Sequence, residues 1–379
     1  MTDKQTVKFG DICKEVKLTT KDPIGDGYER YIGLEHLDSG SLKIKRWGMI
    51  AEDNPSFTRV FKKGHILFGK RRPYLNKAAI AEFDGICSGD IIVLDANVEA
   101  IESDLLPFIL QKDDFWEHAV KTSSGSLSPR TKFSSLTTFE LKIPSRSAQV
   151  ATTALLKKNL ESYSASLDAL ESMSIYRQRL IDSIFDTFSQ YPKRPLSELI
   201  SVKNGYAYSG KSIGDVETDK VIVTPGNFLI GGGYNAEKNR FFSGDIVRDY
   251  ELFKGDMIVN MTDLSKAGDT LGLPAFIPDS ESKYLHNQRV GLVRFENEQL
   301  EPSFLFIFMC SSVFRRKIVA TSSGTTVRHT SVKKLLDFEI ALPPLELQVQ
   351  ASSAIMQLDA IKYNLNTRKN IYRSVINEF

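Results

Sequence analysis

The amino-acid sequence predicts an α+β fold in which two tandem domains are each followed by a long helix, the helices packing as an antiparallel coiled coil with pseudo-two-fold symmetry. Three observations lead there. First, Thr122–Val150 (TSSGSLSPRTKFSSLTTFELKIPSRSAQV) realigns without gaps on Thr321–Val349 (TSSGTTVRHTSVKKLLDFEIALPPLELQV) at a constant shift, 321 − 122 = 199, and 11 of the 29 pairs are identical. Composition alone gives about one match in sixteen, so the segment is an internal duplication. Second, the residues after each copy keep a sustained 4-3 apolar spacing, the mark of a narrow coiled-coil seam. Third, short apolar runs bounded by turn residues precede each copy and read as strands. Two copies of a domain plus a long helix close most simply about a two-fold axis.

Each element has its own justification. Ile91–Ala96 (IIVLDA) and Val290–Phe295 (VGLVRF) are apolar runs of the length of buried strands. Leu105–Lys121 and Pro302–Ala320 each read as a helix with proline in or near its first turn, where the missing N–H does no harm. After each Ser/Thr/Gly segment, Phe139, Leu141 and Ile143, or Phe338, Ile340 and Leu342, alternate as one face of a strand, which Pro144 or Pro343-Pro344 then stops. The first seam is Leu156, Leu160, Tyr163, Leu167, Leu170, Ile181, Ile184 and Phe188, broken by Ser174 and Arg177. The second is Ala351, Ala354, Leu358, Ile361, Leu365, Tyr372, Val375 and Phe379, broken by Arg368. About 40 residues of helix span roughly 60 Å. Ile-Tyr-Arg recurs at 175–177 and 371–373, a shift of 371 − 175 = 196, so one coil is three residues shorter than the other. The predicted boundaries are a first domain over 1–146, a helix over 147–190, a second domain over 191–344 and a helix over 345–379.

Bulk composition narrows the function class. The 379 residues are 41% hydrophobic and 25% charged, with a net charge of +2, which fits soluble domains and neither demands nor forbids a polyanionic partner. Cys13, Cys87 and Cys310 are isolated and odd in number, so neither a disulfide framework nor a CxxC metal site is written, and a reducing cytoplasm is expected. The start lacks the apolar core of a signal peptide, and Phe304–Met309 is too short to span a bilayer.

Several stretches imitate catalytic motifs without their context. Gly205–Ser212 matches GxxxxGKS letter for letter, but a P-loop needs a strand before it and a helix after it. Here IGDVETDK and a strand-like VIVTP follow. Asn54-Pro55-Ser56-Phe57 looks like the NPPF-type loop of amino-methyltransferases, without the doubly wound domain that should precede it. Pro278–Lys283 carries the letters of PD…ExK on six adjacent residues, whereas those acidic groups come from different strands. The histidines have no metal-ligand spacing. No catalytic residue, metal site or cofactor is expected.

Nucleic-acid-binding chemistry is better represented. Lys70, Arg71, Arg72, Tyr74, Asn76 and Lys77 put dense positive charge beside an aromatic ring and an amide, a mixture suited to phosphates and base edges. Ser123, Ser124, Arg130 and Lys132 in the first Ser/Thr/Gly loop, and Ser322, Ser323, Thr325, Arg328 and His329 in the second, offer hydroxyls and cations. In the second copy Val259–Thr270, with Asn260, Thr262 and Lys266, takes the place of Gly69–Ile80, after the similar FKGDMIVN and FKKGHILF. The frame repeats while the exposed insert differs.

The duplicated TSSG element, the strand and proline after it, Asp337–Gln350 (DFEIALPPLELQVQ) and the two long helices resemble the DNA specificity subunit of Type I restriction-modification systems. The order domain, helix, domain, helix covers essentially the whole chain, although Lys142–Gln149 lacks the glutamate of the family's I-x-x-P-x-x-E-Q entry into the helix. The resemblance implies two target recognition domains, each reading one half of a bipartite double-stranded DNA site, with the helices setting the unread spacer. It also implies a non-catalytic chain whose partners are DNA adenine methyltransferase (modification) subunits, which carry S-adenosylmethionine, and ATP-dependent restriction subunits, with no membrane. From the residues alone, a coiled-coil protein-interaction scaffold without DNA binding remains open, as does a nucleotide hydrolase at Gly205–Ser212.

Overall fold

A computed structural model describes residues 4–379, and the side chains of all of these but 368–370. Arg368, expected as the break in the second seam, therefore lies outside the described side chains. The chain divides into two compact units, one holding residues up to Asp168 together with Asn366–Phe379, the other Ala169–Leu365. Each contains one copy of the duplicated element, the adjoining part of one long helix and a stretch of the other.

In the first unit a four-stranded sheet runs in the order Cys13–Glu15, Ile91–Ala96, Ile66–Gly69, Ala78–Ile80. A second sheet orders Gly48–Met49, Arg30–Ile32, Gly85–Cys87 and Arg59–Phe61, with Arg30–Ile32 and Gly85–Cys87 parallel. The expected strand Glu140–Pro144 forms an antiparallel ribbon with Lys4–Lys8, and Leu141 and Ile143 face inward. Its core gathers Phe9, Phe68, Phe115, Trp116 and Phe139. Phe68 stacks on Trp116 at 4.7 Å and Phe115 meets Phe139 edge-on at 5.3 Å, geometries that add to the burial term.

The second unit repeats this plan. Ile200–Asn204, Val290–Phe295, Met257–Asn260 and Pro274–Phe276 form a four-stranded sheet in the equivalent order. A five-stranded sheet orders Ile213–Gly214, Arg240–Phe242, Lys220–Val223, Lys283–His286 and Glu251–Leu252, and Lys193–Pro195 pairs with Glu339–Ala341. Phe314 and Phe338, which stand 199 residues after Phe115 and Phe139, meet at 4.5 Å in the core. Sheets that mix parallel and antiparallel pairs beside helices make each unit α+β.

The structure corrects one detail of the expected helices. Leu105–Lys121 divides into Leu106–Ile109 and Asp113–Lys121, and Pro302–Ala320 into Pro302–Cys310 and Ser312–Ala320. In the second case Ser311 leaves the helical region (φ −66°, ψ 148°) and its hydroxyl accepts from the Phe314 N–H, so one serine ends a helix and caps the next.

The long helices are Arg146–Thr187 and Leu345–Glu378. Their buried residues form a stripe broader than the expected seam, because a helix lying against a domain buries a wider face than one in a two-stranded coil. Ile355 and Ile376, outside the expected spacing, are buried, whereas Ile361 is exposed. In the first unit the helices run in opposite directions. Lys4, at the start of a strand whose partner Pro144 precedes the first helix, donates to the Phe379 carbonyl at 3.0 Å, while Tyr163 further along stacks on Tyr372 at 4.2 Å. In the second unit the strand following the first helix pairs with the strand preceding the second, and Arg177 reaches across to Asp359. Antiparallel packing is thus present within each unit.

Gln149 and Gln348, identical members of the duplication, fasten the helix entries. Each is fully buried, accepts from the N–H of Glu102 or Glu301 at 2.8 and 3.0 Å, and donates to the carbonyl of Pro144 or Pro343 at 3.1 and 2.8 Å.

Candidate nucleic-acid interface

In the first unit the loop after Ile66–Gly69 and the Ser/Thr/Gly loop join edge to edge. Arg72 N–H donates to the Pro129 carbonyl at 2.7 Å and Thr131 N–H to the Lys70 carbonyl at 3.0 Å, while Ser124 and Arg130 exchange both backbone bonds at 3.0 and 2.8 Å. Gly125 closes the turn with φ 110°, a conformation that side chains resist. Arg72 and Asn76 also hold left-handed backbone (φ 53° and 50°) without being glycine, a cost of roughly 1–3 kcal/mol each that persists only where surrounding bonds over-determine the loop. Beside the joined loops lies a cleft of about 780 Å³ whose lining includes Glu15, Lys17, Lys70, Arg130, Thr131 and Lys132.

The second unit reproduces the frame bond for bond. Thr330 N–H donates to the Met261 carbonyl at 3.0 Å, Ser323 and His329 exchange bonds at 3.0 and 2.9 Å, and Gly324 takes φ 90° at a place where a Cβ would collide with the Val327 carbonyl. Thr262–Asp263 pairs antiparallel with Arg328–His329 as a two-stranded ribbon. The side chains differ. Thr262 Oγ1 lies 3.0 Å from His329 Nδ1, Arg328 Nη1 donates to Ser322 Oγ at 2.9 Å, and Arg328 Nε donates to the Lys266 carbonyl at 2.6 Å.

Of the residues singled out in sequence, Arg72, Tyr74, Ser124, Arg130, Lys132, Lys266, Ser323, Thr325 and His329 are exposed on these loops. Lys70, Arg71 and Arg328 are half-buried at their base. The others turn inward. Asn260 is fully buried, accepting from Thr262 N–H and donating to Thr270 Oγ1, and Thr262 is buried with it. Lys77 spends its ammonium on the Leu34 carbonyl at 2.9 Å. Asn76 sits at the left-handed end of a 3-10 turn, where its own N–H and carbonyl bond to Pro73 and Gly40. Ser123 and Ser322 donate their hydroxyls to the carbonyls of Val120 and Val319, both at 2.6 Å, closing the preceding helices. The side chains of Asn260, Thr262, Lys77, Ser123 and Ser322, and the backbone of Asn76, hold the loops in shape; their pattern in sequence does not distinguish that task from contact with a ligand.

Three residues escaped the sequence reading. Asp90 accepts from Arg130 Nε at 2.9 Å and from Arg71 Nη1 at 3.4 Å. Burial would raise its carboxyl, but the hydrogen bonds and charges of Arg130 and Arg71 outweigh that and hold it below the usual carboxylate range. Asp263 is buried and accepts from the N–H groups of Ser265 and Thr270, which overcome its desolvation and likewise keep its pKa low. Arg289 is exposed, and among the described residues its side chain has no partner. The signal was present, since the shift of 199 aligns Asp90 with Arg289 just before each long apolar strand. Lys70 has its pKa lowered, chiefly by burial and then by Arg59.

The imitation motifs are placed as well. Gly205–Ser212 follows the strand Ile200–Asn204 and ends in a single 3-10 turn leading into the short strand Ile213–Gly214. A helix N-terminus to face a phosphate is therefore missing there. Among the described residues, no group of three or more His, Cys, Asp or Glu is placed to hold a metal ion, and no helix is long and apolar enough to cross a membrane.

Residues 189–372 match the family model described as the Type I restriction modification DNA specificity domain. The match spans 184 of the 379 residues, just under half of the chain. A stretch of 90 residues, 24% of the chain, is 30% identical to the Type I restriction enzyme EcoDI specificity subunit of Escherichia coli, and covers 20% of that relative's length. Among solved structures, the Type-I restriction-modification system S subunit from M. genitalium aligns over 99% of this chain and 96% of its own, with a TM-score of 0.58 at 13% identity. A chain solved in work on complex assembly and conformational transition of the type I R-M system aligns over 99% and 97%, with a TM-score of 0.54 at 17% identity. At such identities the likeness is one of fold. It extends the specificity-subunit fold from the matched domain to the first unit.

Proposed function

We propose that the chain is the non-catalytic DNA-specificity subunit of a Type I restriction-modification complex, in which each unit reads one half of a bipartite duplex site and the long helices set the unread spacer. The observation that carries this reading is the doubled loop pair. One backbone register, held by equivalent hydrogen bonds, presents Arg71, Arg72 and Arg130 in the first unit and Arg328 and His329 in the second. Two frames of one shape with different exposed side chains suit two different base sequences. The partners proposed are adenine methyltransferase subunits holding S-adenosylmethionine and ATP-dependent restriction subunits, in a reducing cytoplasm. Phosphate contacts from those partners would offset the near-neutral charge of this chain.

The test is selection of random-sequence duplex DNA by the purified full chain at two salt concentrations, together with mass spectrometry of what it captures from a cytoplasmic extract. Enrichment of a site in two short parts, and capture of a methyltransferase, is the expected result. Self-association without DNA affinity would instead favour the protein-interaction scaffold.

A further inference from the structure

We propose that Asp90 is a positioning residue of the first loop pair, fixing the guanidinium groups of Arg71 and Arg130 so that their outer edges address bases instead of trading among phosphates. This rests on the reading of the chain as a DNA-specificity subunit. Asp90 is itself anchored by the backbone, its N–H donating to Ser88 Oγ at 3.2 Å and its carbonyl accepting from Lys70 N–H at 3.0 Å. From that anchor one carboxylate takes Arg130 Nε and Arg71 Nη1, while Arg71 Nε is held by Ser128 Oγ at 2.7 Å. Both Nη atoms of Arg130 and Nη2 of Arg71 keep no partner among the described residues. A guanidinium pinned along its Nε side is a planar donor of fixed direction, which is what bidentate recognition of a base edge requires. The carboxylate also cancels one of the two positive charges, so the pair gains less from phosphate alone.

The second unit shows that the fold does not need an acid at this place. At the equivalent position, 289 − 90 = 199, stands Arg289, whose carbonyl accepts from Met261 N–H at the same 3.0 Å. The backbone register is retained while the side-chain charge is inverted. The Asp90 carboxylate therefore belongs to what the first loop pair presents, not to how it folds.

The experiment compares wild type, Asp90→Asn and Asp90→Glu as full chains in random-duplex selection at several salt concentrations, with thermal melting to verify folding. For D90N the expected outcome is several-fold tighter binding to random duplex and a salt slope steeper by about one. Base preference in the first half-site should relax while the second half-site stays unchanged, and D90E should restore most of the discrimination. A folded D90N that selects the wild-type first half-site with the wild-type salt slope overturns the proposal while leaving the DNA-specificity reading intact. Should D90N not fold, Ser128→Ala removes the other anchor of Arg71, and an unchanged first half-site in that variant overturns it equally. A wild-type chain that selects no site refutes the underlying reading and the proposal together.

Discussion

The two loop pairs are built on one frame and differ in almost everything the frame exposes. Thr131 and Thr330 make the same backbone bond to the loop alongside, as do Ser124 and Ser323 to their opposite residues, and Gly125 and Gly324 turn the chain with the same sign of φ. All six are identical between copies. Between them Arg130 is replaced by His329, Arg71 by Thr262 and Asp90 by Arg289. The lesson is a division of labour within a few residues. Small hydroxyl and glycine positions fix the backbone, and the residues between them can differ because the shared bonds run through their backbone atoms and not their side chains.

If that division is right, damage to the shared frame should be symmetric and damage to the exposed set should be local. The largest effect belongs to the shared core. Phe115→Ala and Phe314→Ala each delete a fully buried ring at equivalent places, and each should cost roughly 3–5 kcal/mol of the stability of its own unit. Denaturant unfolding followed by selection of duplex DNA should show loss of one half-site per variant; loss of both by either single change would break the comparison.

The helix pairing is where the units diverge inside the core. Arg177 in the second unit is buried, bonded to Asp359 at 2.6 and 2.9 Å and to the Gly231 carbonyl at 3.0 Å. The shift of 196 aligns Tyr163 of the first unit with Asp359, 359 − 163 = 196, and there Tyr163 stacks on Tyr372 instead of pairing with an arginine. Arg177→Met strands the acid, and the cost should fall toward the lower end of the roughly 3–5 kcal/mol typical of breaking a buried pair, since Asp359 keeps 34% of its side chain exposed. Adding Asp359→Leu should recover much of that loss in a thermal melt. A double variant as unstable as the single one would mean that the packing, and not the stranded charge, carries the effect.

A smaller effect, equal in kind in both units, is expected at the helix entries. Gln149→Ala and Gln348→Ala each leave a buried N–H and carbonyl unpaired, at roughly 1–3 kcal/mol. Gln348 should sit at the upper end because it also donates to the Gln299 carbonyl at 2.8 Å. In binding, Arg71→Ala should weaken the first half-site by about 1–3 kcal/mol and leave the second unchanged, with His329→Ala giving the mirror result in quantitative selection. Equal loss of both preferences by either variant would contradict independent reading.

How far the sequence carries this picture depends on whether a feature repeats. The duplication, the strands Ile91–Ala96 and Val290–Phe295 and the long helices are legible because apolar spacing and the constant shift record them. The site is legible only as a region. Lys77 and Asn260 have the composition of contact residues, yet one ammonium caps a neighbouring carbonyl and one amide is buried, since charge and polarity in a string do not say which way a side chain turns. Asp90 was hidden for the opposite reason: an acid is not expected in a DNA-reading loop until Arg71 and Arg130 are seen on either side of it.

The subtlest prediction uses a buried pair at one more equivalent position, 286 − 87 = 199. Cys87 and His286 occupy matching strands, each beside the parallel neighbour Ile32 or Val223, and both are fully buried. Burial pushes the Cys87 thiol up to about 12, so it stays neutral throughout the accessible range. Burial lowers the pKa of His286, whose Nε2 lies 2.8 Å from the Val290 carbonyl; a carbonyl only accepts, so Nε2 carries the proton and Nδ1 is the bare nitrogen, without a partner among the described residues. Above the unfolded value near 6.5 both states are neutral and His286 has no effect on stability. As pH falls below that value the unfolded chain takes up a proton that the folded one refuses, so the second unit loses stability, by at most about 1.4 kcal/mol per pH unit, until the lowered folded pKa is reached. Thermal melts between pH 7 and pH 5 should therefore show an acid-dependent loss in the second unit that His286→Gln, which keeps a donor for Val290, flattens. The Cys87 side of the comparison supplies the control, because Cys87→Ser should leave the slope unchanged. A slope untouched by H286Q would assign the acid sensitivity to other groups.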